Sequence, residues 1–265
     1  MTIHCSIEPQ AMTKDEYHYL DHDVMGIIFS IQNDLGRLFD EKIYQEAIMS
    51  RCIEAGMEVE AEVPVQVKYQ DFSKKYFIDL IINRRIIYEL KTTMSLNSKH
   101  RCQVMNYLFL TDFQYGKLVS MRTSSVKSEF VTTSLTPRDR ERFKVDQDDW
   151  EDIDQDSIWL REFIISLISD WGMFLDIALY REAIEFFRGG EQAFTAEVEI
   201  INKGTVLGTQ KVNLLNPELA VHLSSVKSIR SYKDQLQLFL VNTSLKAMQW
   251  INLKGQQLTM RTIRP

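Results

Sequence analysis

The segment RRIIYELKTT (84–93) places an acid and a base, Glu89 and Lys91, two residues apart in an otherwise apolar run. Side chains at i and i+2 share one face of a strand, so both are expected to point the same way. The preceding apolar segment YFIDLII contributes Asp79, and the polar NRR between the two segments predicts a tight turn. In a hairpin centred on Arg84, Asp79 lies directly opposite Glu89. Two carboxylates and a lysine are therefore expected on one patch.

Such a patch has the chemistry of a divalent-metal site. Two neighbouring carboxylates repel each other, whereas Mg²⁺ takes carboxylate oxygens and leaves sites for water and phosphate. A nearby lysine orients an attacking water and offsets charge on a phosphorane-like transition state. The simpler alternative is a set of surface charges on an amphipathic sheet.

Helix and strand patterns surround this patch in a regular order. Thr13 and Glu16 form a capping box before a helix that reaches about Asp34, and a second helix is stopped by Gly56. Three segments with a period of two follow, then a helix over about 101–110 and two further strands. The order αα, βββ, α, ββ predicts a mixed α/β layer fold.

The same order of elements returns in the second half of the chain. Residues 33–48 align without a gap to residues 169–184, and residues 103–121 align to residues 235–253. Identical residues recur in these alignments, which favours an internal duplication over chance similarity of patterns.

An acidic segment lies between the halves. Residues 137–156 contain nine acidic and four basic residues, which is the composition of a solvated connector. The predicted domains are therefore 1–136 and 157–265, joined by an acidic linker at 137–156.

Composition is that of an ordinary globular protein, with 265 residues, 45% hydrophobic residues and a net charge of −6. No apolar run is long enough for a membrane span, and the first ten residues lack the features of a signal peptide, so a cytoplasmic protein is expected. The three cysteines show no CxxC spacing, which argues against a zinc site.

The order D-x9-E-x-K resembles the signature of the PD-(D/E)XK nuclease superfamily. More specifically, LGRLFDEKIYQEAI resembles the motif of its GxxExxY family, with Glu41 in the place of the helical acid and Tyr44 completing ExxY. Leu38 stands where the family has its second glycine. Gln103 matches the glutamine of the helix after the lysine strand. The resemblance covers about Asp15 to Thr133.

This resemblance implies two tandem restriction-endonuclease-like domains, each a small mixed sheet flanked by helices. It implies a Mg²⁺-dependent (or Mn²⁺-dependent) endo- or exodeoxyribonuclease in the first domain. Asp79, Glu89 and Glu41 would bind the metal, Lys91 would position the attacking water, and Gln103 would assist.

The second copy does not keep these residues. Ile177 stands for Glu41, Asn213 for Asp79, His222 for Glu89 and Ser224 for Lys91, and Gln235 alone is retained as the counterpart of Gln103. The second half is therefore interpreted as a degenerate, non-catalytic domain.

Nucleic acid, in particular DNA, is the expected partner, and the two domains are expected to form an intrachain pseudo-dimer in a monomeric protein. Basic residues that flank the site in sequence are candidates for phosphate contacts. They are Lys74, Arg84, Arg85, Lys99 and Arg101. The alternative is a non-catalytic nucleic-acid-binding or protein-interaction scaffold that retains a nuclease fold.

Overall fold

The computed structural model describes residues 2–265, and the chain divides into two units after Pro137. In the first unit the helices are α1 (Lys14–Leu35), α2 (Glu41–Glu54) and α3 (Ser98–Thr111). The strands of this unit are β1 (Ile3–Cys5), β2 (Val59–Tyr69), β3 (Phe72–Ile82), β4 (Ile86–Lys91), β5 (Tyr115–Ser120) and β6 (Lys127–Thr132).

Helix α1 begins at the predicted capping box. The hydroxyl of Thr13 accepts a hydrogen bond from the backbone N–H of Glu16, whose carboxylate accepts the backbone N–H of Thr13 in return. Apolar residues of α1 and α2 pack on one face of the sheet, against Leu80 and Tyr88 among others. This packing holds α2 next to the strands that carry the candidate site.

The first sheet has the order β1-β2-β3-β4-β5-β6, with β4 and β5 parallel and every other neighbouring pair antiparallel. Helix α3 makes the crossover between the parallel strands. The β3–β4 hairpin pairs Leu80 with Tyr88 and Ile82 with Ile86, so it is centred on Arg84. The predicted centre of the hairpin is confirmed, but the ladder ends at Leu80 and Tyr88, so Asp79 and Glu89 are not paired residues of the ladder as predicted.

The second unit also combines helices with one mixed six-stranded sheet. Its helices are α4 (Pro137–Glu141), α5 (Gln155–Trp171), α6 (Ile177–Phe187), α7 (Glu191–Phe194) and α8 (Ile229–Val241). Its strands are β7 (Lys144–Asp149), β8 (Thr195–Asn202), β9 (Thr205–Asn216), β10 (Leu219–Ser224), β11 (Ala247–Lys254) and β12 (Gln257–Ile263). The sheet order is β7-β12-β11-β10-β9-β8, with β10 parallel to β11 and β7 parallel to β12. The protein is thus an α/β protein with two mixed six-stranded sheets flanked by helices.

The acidic segment 137–156 differs from the predicted linker. It contains α4 and β7, and β7 pairs with β12 as a strand of the second sheet. Arg261 binds Asp146 and Asp149, which neutralises part of the acidic charge that suggested a solvated connector. Within residues 2–265, no helix has the length and apolar character needed to span a bilayer.

Candidate active site

Strand β4 contains both the acid and the base of the candidate site, and both side chains are largely shielded from solvent. Glu89 is 1% exposed, and its Oε1 lies 2.6 Å from the Nζ of Lys91. The same Nζ lies 3.9 Å from Oε1 of Glu41, at the first residue of α2. The ammonium of Lys91 therefore lies between carboxylates from a strand and a helix, and the predicted patch includes the helical acid.

Asp79 lies where β3 separates from β4. The last paired residues of the two strands on this side are Leu80 and Tyr88. Beyond them, the backbone N–H of Leu90 donates to Oδ2 of Asp79 at 2.7 Å. The carboxylate replaces a ladder carbonyl as the acceptor, and this bond fixes Asp79 beside Glu89.

Burial raises the pKa of both strand carboxyls. The pKa of Asp79 rises to about 6, because desolvation and the charges of Glu41 and Glu62 outweigh the Leu90 N–H and Lys91. The pKa of Glu89 rises to about 8, through desolvation and then the charge of Asp79, against the opposing effect of Lys91.

Lys91 responds in the opposite sense. Burial lowers its pKa, but the carboxylates around it, Glu89 first, outweigh that effect and leave the pKa above its ordinary value. The amine is therefore a charged donor at neutral pH.

Tyr44 holds the loop in front of Glu41. Its hydroxyl donates to the carbonyl oxygen of Gly36 at 2.9 Å and accepts the backbone N–H of Phe39 at 3.2 Å. The φ of Gly36 is +74°, a left-handed value that favours glycine. The tyrosine and glycine of the predicted motif thus shape the turn that leads into α2.

Gln103 reaches this region through α3. Its Nε2 donates at 2.9 Å to the hydroxyl of Tyr107, one turn further along the helix. Burial and then the charge of Glu89 raise the pKa of Tyr107. Gln103 and Tyr107 therefore line the α3 side of the carboxylates.

Three residues of this region were missed from the sequence. Tyr107 could have been found from its spacing of four residues from Gln103 on a helix. Gln45 and Glu62 gave no signal, because each matters through a contact with a distant segment. The Nε2 of Gln45 donates to Oε1 of Glu62 at 2.9 Å and to the backbone oxygen of Asp79 at 2.7 Å.

Two of the basic candidates lie far from the carboxylates. Arg84 and Arg85 are at the β3–β4 turn, where Arg84 donates to the backbone oxygen of Glu8 and Arg85 lies 3.9 Å from Glu16. Five residues of strand, at about 3.3 Å each, separate Arg84 from Glu89, or about 16 Å. Arg84 and Arg85 are close to the site residues in sequence but not in the structure.

The other three basic candidates lie on α3 or next to a residue that contacts α3. Lys74 lies 4.8 Å from the ring centroid of Tyr76, whose ring in turn contacts Tyr107. Lys99 is in the first turn of α3, and Arg101 donates to the backbone oxygen of Phe130.

The sequence of the first unit matches one family model. Residues 18–132 match the family model of the PD-(D/E)XK nuclease superfamily, and this range contains every residue proposed for the site. This segment of the first unit is thus similar to members of that superfamily. The recognition made from the sequence motif is confirmed at this level.

The crystal structure of SSO0001 is similar to this chain at 23% sequence identity with a TM-score of 0.30. The match covers 36% of this chain and 52% of that one, so the chain spans about half the length of the structure it matches. No curated protein matches the sequence.

PD-(D/E)XK nucleases generally use divalent metal ions. In the part of the chain that the structure describes, no group of three or more His, Cys, Asp or Glu side chains lies close enough together to hold one. Nevertheless, Oε2 of Glu89 is buried without a hydrogen-bond partner, and the half-buried carboxyl of Asp79 lies near enough to raise the pKa of Glu89. An unsatisfied buried carboxylate oxygen is costly, and a hard cation would satisfy it. The donor set therefore fits a divalent cation.

Proposed function

We propose that the first unit is a metal-dependent nuclease that hydrolyses phosphodiester bonds in DNA. The observation that carries the proposal is the cluster of Asp79, Glu89 and Lys91 at the fork between β3 and β4, with one oxygen of Glu89 unsatisfied. The match of residues 18–132 to the family model of a nuclease superfamily supports the reaction class.

Asp79 and Glu89 would hold Mg²⁺ or Mn²⁺, with Glu41 completing the site from α2. When bound, the cation supplies positive charge that offsets the charge developing on the phosphate oxygens. The raised pKa values of Asp79 and Glu89 mean that the two carboxyls must lose their protons before they bind a cation.

Lys91 would act as a donor and not as a base. Its raised pKa keeps the amine protonated, so it can orient an attacking water and place positive charge near the phosphate. Gln103, held by Tyr107, would present its remaining amide groups toward the same water or phosphate.

The finer assignment to the GxxExxY group is part of this proposal. Its support is the role of the motif residues: Glu41 faces Lys91, while Tyr44 and Gly36 close the turn before α2. Leu38, at the place of the second glycine, is 78% exposed.

We further propose that the second unit is a degenerate copy of the first. The strand order β8 to β12 matches that of β2 to β6, including the single parallel pair between their third and fourth strands. Tyr180 donates to the carbonyl oxygen of Gly172, as Tyr44 does to that of Gly36.

Strand pairing supports the alignment of the lost site residues. Ile86 pairs with Tyr115 in the first unit and Leu219 with Ala247 in the second, which aligns Glu89 with His222. By the same offset, Lys91 aligns with Ser224.

The strand pairing changes the predicted counterpart of Asp79 by one residue. Ile81 pairs with Ile87, and Leu214 pairs with Ala220, so two residues earlier Asp79 corresponds to Val212 and not to Asn213. Val212 is a buried apolar residue, which still leaves the second unit without this carboxylate.

The polar groups at these positions in the second unit form hydrogen bonds with neighbouring side chains. His222 lies 2.8 Å from the hydroxyl of Tyr232. The hydroxyl of Ser224 accepts from Trp250 Nε1 and donates to Asn252 Oδ1, at 2.8 Å each. Polar groups that form hydrogen bonds within the unit suit a scaffold, and we propose that role for this unit.

A cleavage assay combined with isothermal titration of Mn²⁺ into the full chain tests the nuclease proposal. Wild type should bind Mn²⁺ and cut DNA, and Asp79→Ala should lose both. A protein that binds no Mn²⁺ at millimolar concentration, with or without DNA, would refute the proposal. Binding and cleavage that survive in Asp79→Ala would refute the site assignment.

The second candidate function is a non-catalytic nucleic-acid-binding or protein-interaction scaffold. The ion pair between Lys91 and Glu89, at 2.6 Å, favours it because the lysine already neutralises one acid of the site. A wild type that binds DNA without cutting it, whatever the metal, would support this candidate.

A further inference from the structure

The strand pairing of β2 and β3 is interrupted opposite Asp79. Ala61 pairs with Leu80 and Val63 with Ile78, but the residue between them, Glu62, has a φ of +51° and is not paired with Asp79. A glutamate with left-handed φ is uncommon, and such conformations concentrate at functional sites. The backbone of Asp79 is thus unpaired with β2 at the same residue where a carboxylate, and not the backbone, bonds to β4.

A side chain from α2 compensates for this interruption. Gln45 is 3% exposed, and its Nε2 donates to the backbone oxygen of Asp79 at 2.7 Å. A backbone oxygen inside a sheet would otherwise accept from the neighbouring strand. Gln45 therefore satisfies the carbonyl that the irregularity at Glu62 leaves free.

Glu62 fixes which way the amide of Gln45 points. The second hydrogen of the Gln45 amide goes to Oε1 of Glu62 at 2.9 Å. An ionised carboxylate and a carbonyl only accept hydrogen bonds, so only the NH₂ end of the amide satisfies both. Lys42, at 3.7 Å from Oε1 of Glu62, adds a counter-charge on the solvent side.

The position of Gln45 links two carboxylates of the proposed site. Gln45 is four residues after Glu41, so both lie on one face of α2. Glu41 faces Lys91 while Gln45 holds the backbone of Asp79. Helix α2 is thereby connected to β3 at the same residue that supplies a strand carboxylate.

We propose that Gln45 is a positioning residue of the metal site, oriented by Glu62, which sets the placement of Asp79 relative to Glu41 and Glu89. The inference rests on the proposed nuclease function. Neither residue is assigned a contact with substrate or metal. Cation affinity thus depends on the amide of Gln45, which does not contact the cation.

The test is Mn²⁺ titration into full-length Gln45→Leu, with circular dichroism to verify folding. The substitution keeps the approximate volume of the side chain and removes both donors. We expect the Mn²⁺ dissociation constant to rise at least about tenfold, as expected when a group that orients ligands is lost. An unchanged dissociation constant in a folded Gln45→Leu protein overturns the proposal.

The second unit offers a matched control. Gln249 is also buried, donates its Nε2 to the backbone oxygen of Glu151 at 3.0 Å, and accepts the hydroxyl of Thr262 at 2.8 Å. Gln249→Leu should lower stability and leave Mn²⁺ affinity unchanged. An equal loss of affinity in both variants would mean that general destabilisation explains the effect, and would overturn the proposal.

Substitutions of Glu62 keep the proposal testable if Gln45→Leu fails to fold. Glu62→Gln retains an acceptor for the Gln45 amide, whereas Glu62→Leu removes it. Affinity that falls in Glu62→Leu and is kept in Glu62→Gln supports positioning, and equal affinities overturn it. A wild type that binds Mn²⁺ without cutting DNA refutes the nuclease but not the positioning role, whereas a wild type that binds no Mn²⁺ refutes both.

Discussion

The carboxylate of Asp79 accepts the backbone N–H of Leu90 at 2.7 Å, at the point where the β3–β4 pairing ends. One side chain thus continues the hydrogen bonding of the sheet and contributes to the candidate site. Removing the carboxylate would cost a buried hydrogen bond as well as a ligand, typically about 1–3 kcal/mol for the unsatisfied donor.

Asp79→Asn and Lys91→Met should separate cation binding from cleavage. Asp79→Asn keeps an acceptor for Leu90 but removes the charge, so we expect loss of Mn²⁺ binding and of cleavage with little loss of stability. Lys91→Met removes a charged donor and no ligand. It should bind Mn²⁺ at least as well as wild type while cleavage falls about 100-fold or more. Titration and cleavage rates measured on the same preparations decide this, and equal cleavage by wild type and Lys91→Met would contradict it.

Mn²⁺ binding should strengthen with rising pH. Asp79 and Glu89 have raised pKa values, about 6 and about 8, and both must be ionised to hold a cation. Between pH 6 and pH 8.5 the dissociation constant should therefore fall. Titrations in buffers of different ionisation enthalpy should report proton release on binding at pH 7, and a constant affinity over this range would be inconsistent with buried, protonated carboxyls.

The folding stability of the metal-free protein should fall with rising pH, whereas the Mn²⁺ affinity rises. The folded-state pKa of Glu89, about 8, is above its ordinary value of 4.5, so this group favours folding fully below pH 4.5. That contribution is lost as the pH rises through about 8. Glu89→Gln does not titrate at this position. In EDTA, the free energy of unfolding of Glu89→Gln relative to that of wild type should therefore increase between pH 5 and pH 9. Urea denaturation at three pH values measures the difference, with exposed Glu8→Gln as the control, and a pH-independent difference would contradict the expectation.

Tyr44→Phe and Tyr180→Phe form a matched pair across the units. Each hydroxyl donates to the carbonyl oxygen of a glycine eight residues earlier, Gly36 and Gly172 respectively. Each also accepts a backbone N–H, from Phe39 and Leu175. We expect each substitution to cost about 1–3 kcal/mol.

In addition, Tyr44→Phe should lower cleavage by loosening the turn before Glu41, while Tyr180→Phe should leave cleavage unchanged. Denaturation curves and cleavage rates check both statements. Equal cleavage in the two variants would show that the Tyr44 turn does not support the site.

The second unit should lose stability in acid through His222. Burial lowers the pKa of His222 below its ordinary value of 6.5, so the unfolded chain takes up a proton before the native unit does. The free energy of unfolding should therefore fall as the pH drops below about 6.5. His222→Gln should flatten this part of the profile, and a slope identical to that of wild type would exclude His222 as the cause.

Local patterns in the sequence were sufficient for the hairpin that carries the site. The period of two and the NRR turn placed the centre at Arg84, and the pairing of Ile81 with Ile87 confirms it. Register follows from the turn and from the alternation of apolar residues, both of which are local.

The fork at Asp79 could not be predicted in the same way. It depends on the left-handed backbone of Glu62 and on the amide of Gln45, which lie 17 and 34 residues before Asp79 in the chain. Strands β1 and β7 were missed for a related reason. One is three residues long and the other is strongly acidic, so their strand conformation comes from pairing with β2 and β12 and not from intrinsic propensity.

The extra strands β1 and β7 also determine where each sheet is open to further pairing. β1 covers β2 in the first sheet, whereas β7 covers β12 in the second, so the terminal strands on the remaining sides are β6 and β8. β8 pairs with β9, whose exposed residues include Val206 and Leu207. Unpaired edges beside apolar groups promote self-association, so aggregation at high protein concentration should begin at the β8 edge. A lysine introduced there would be the first change to make when preparing concentrated samples.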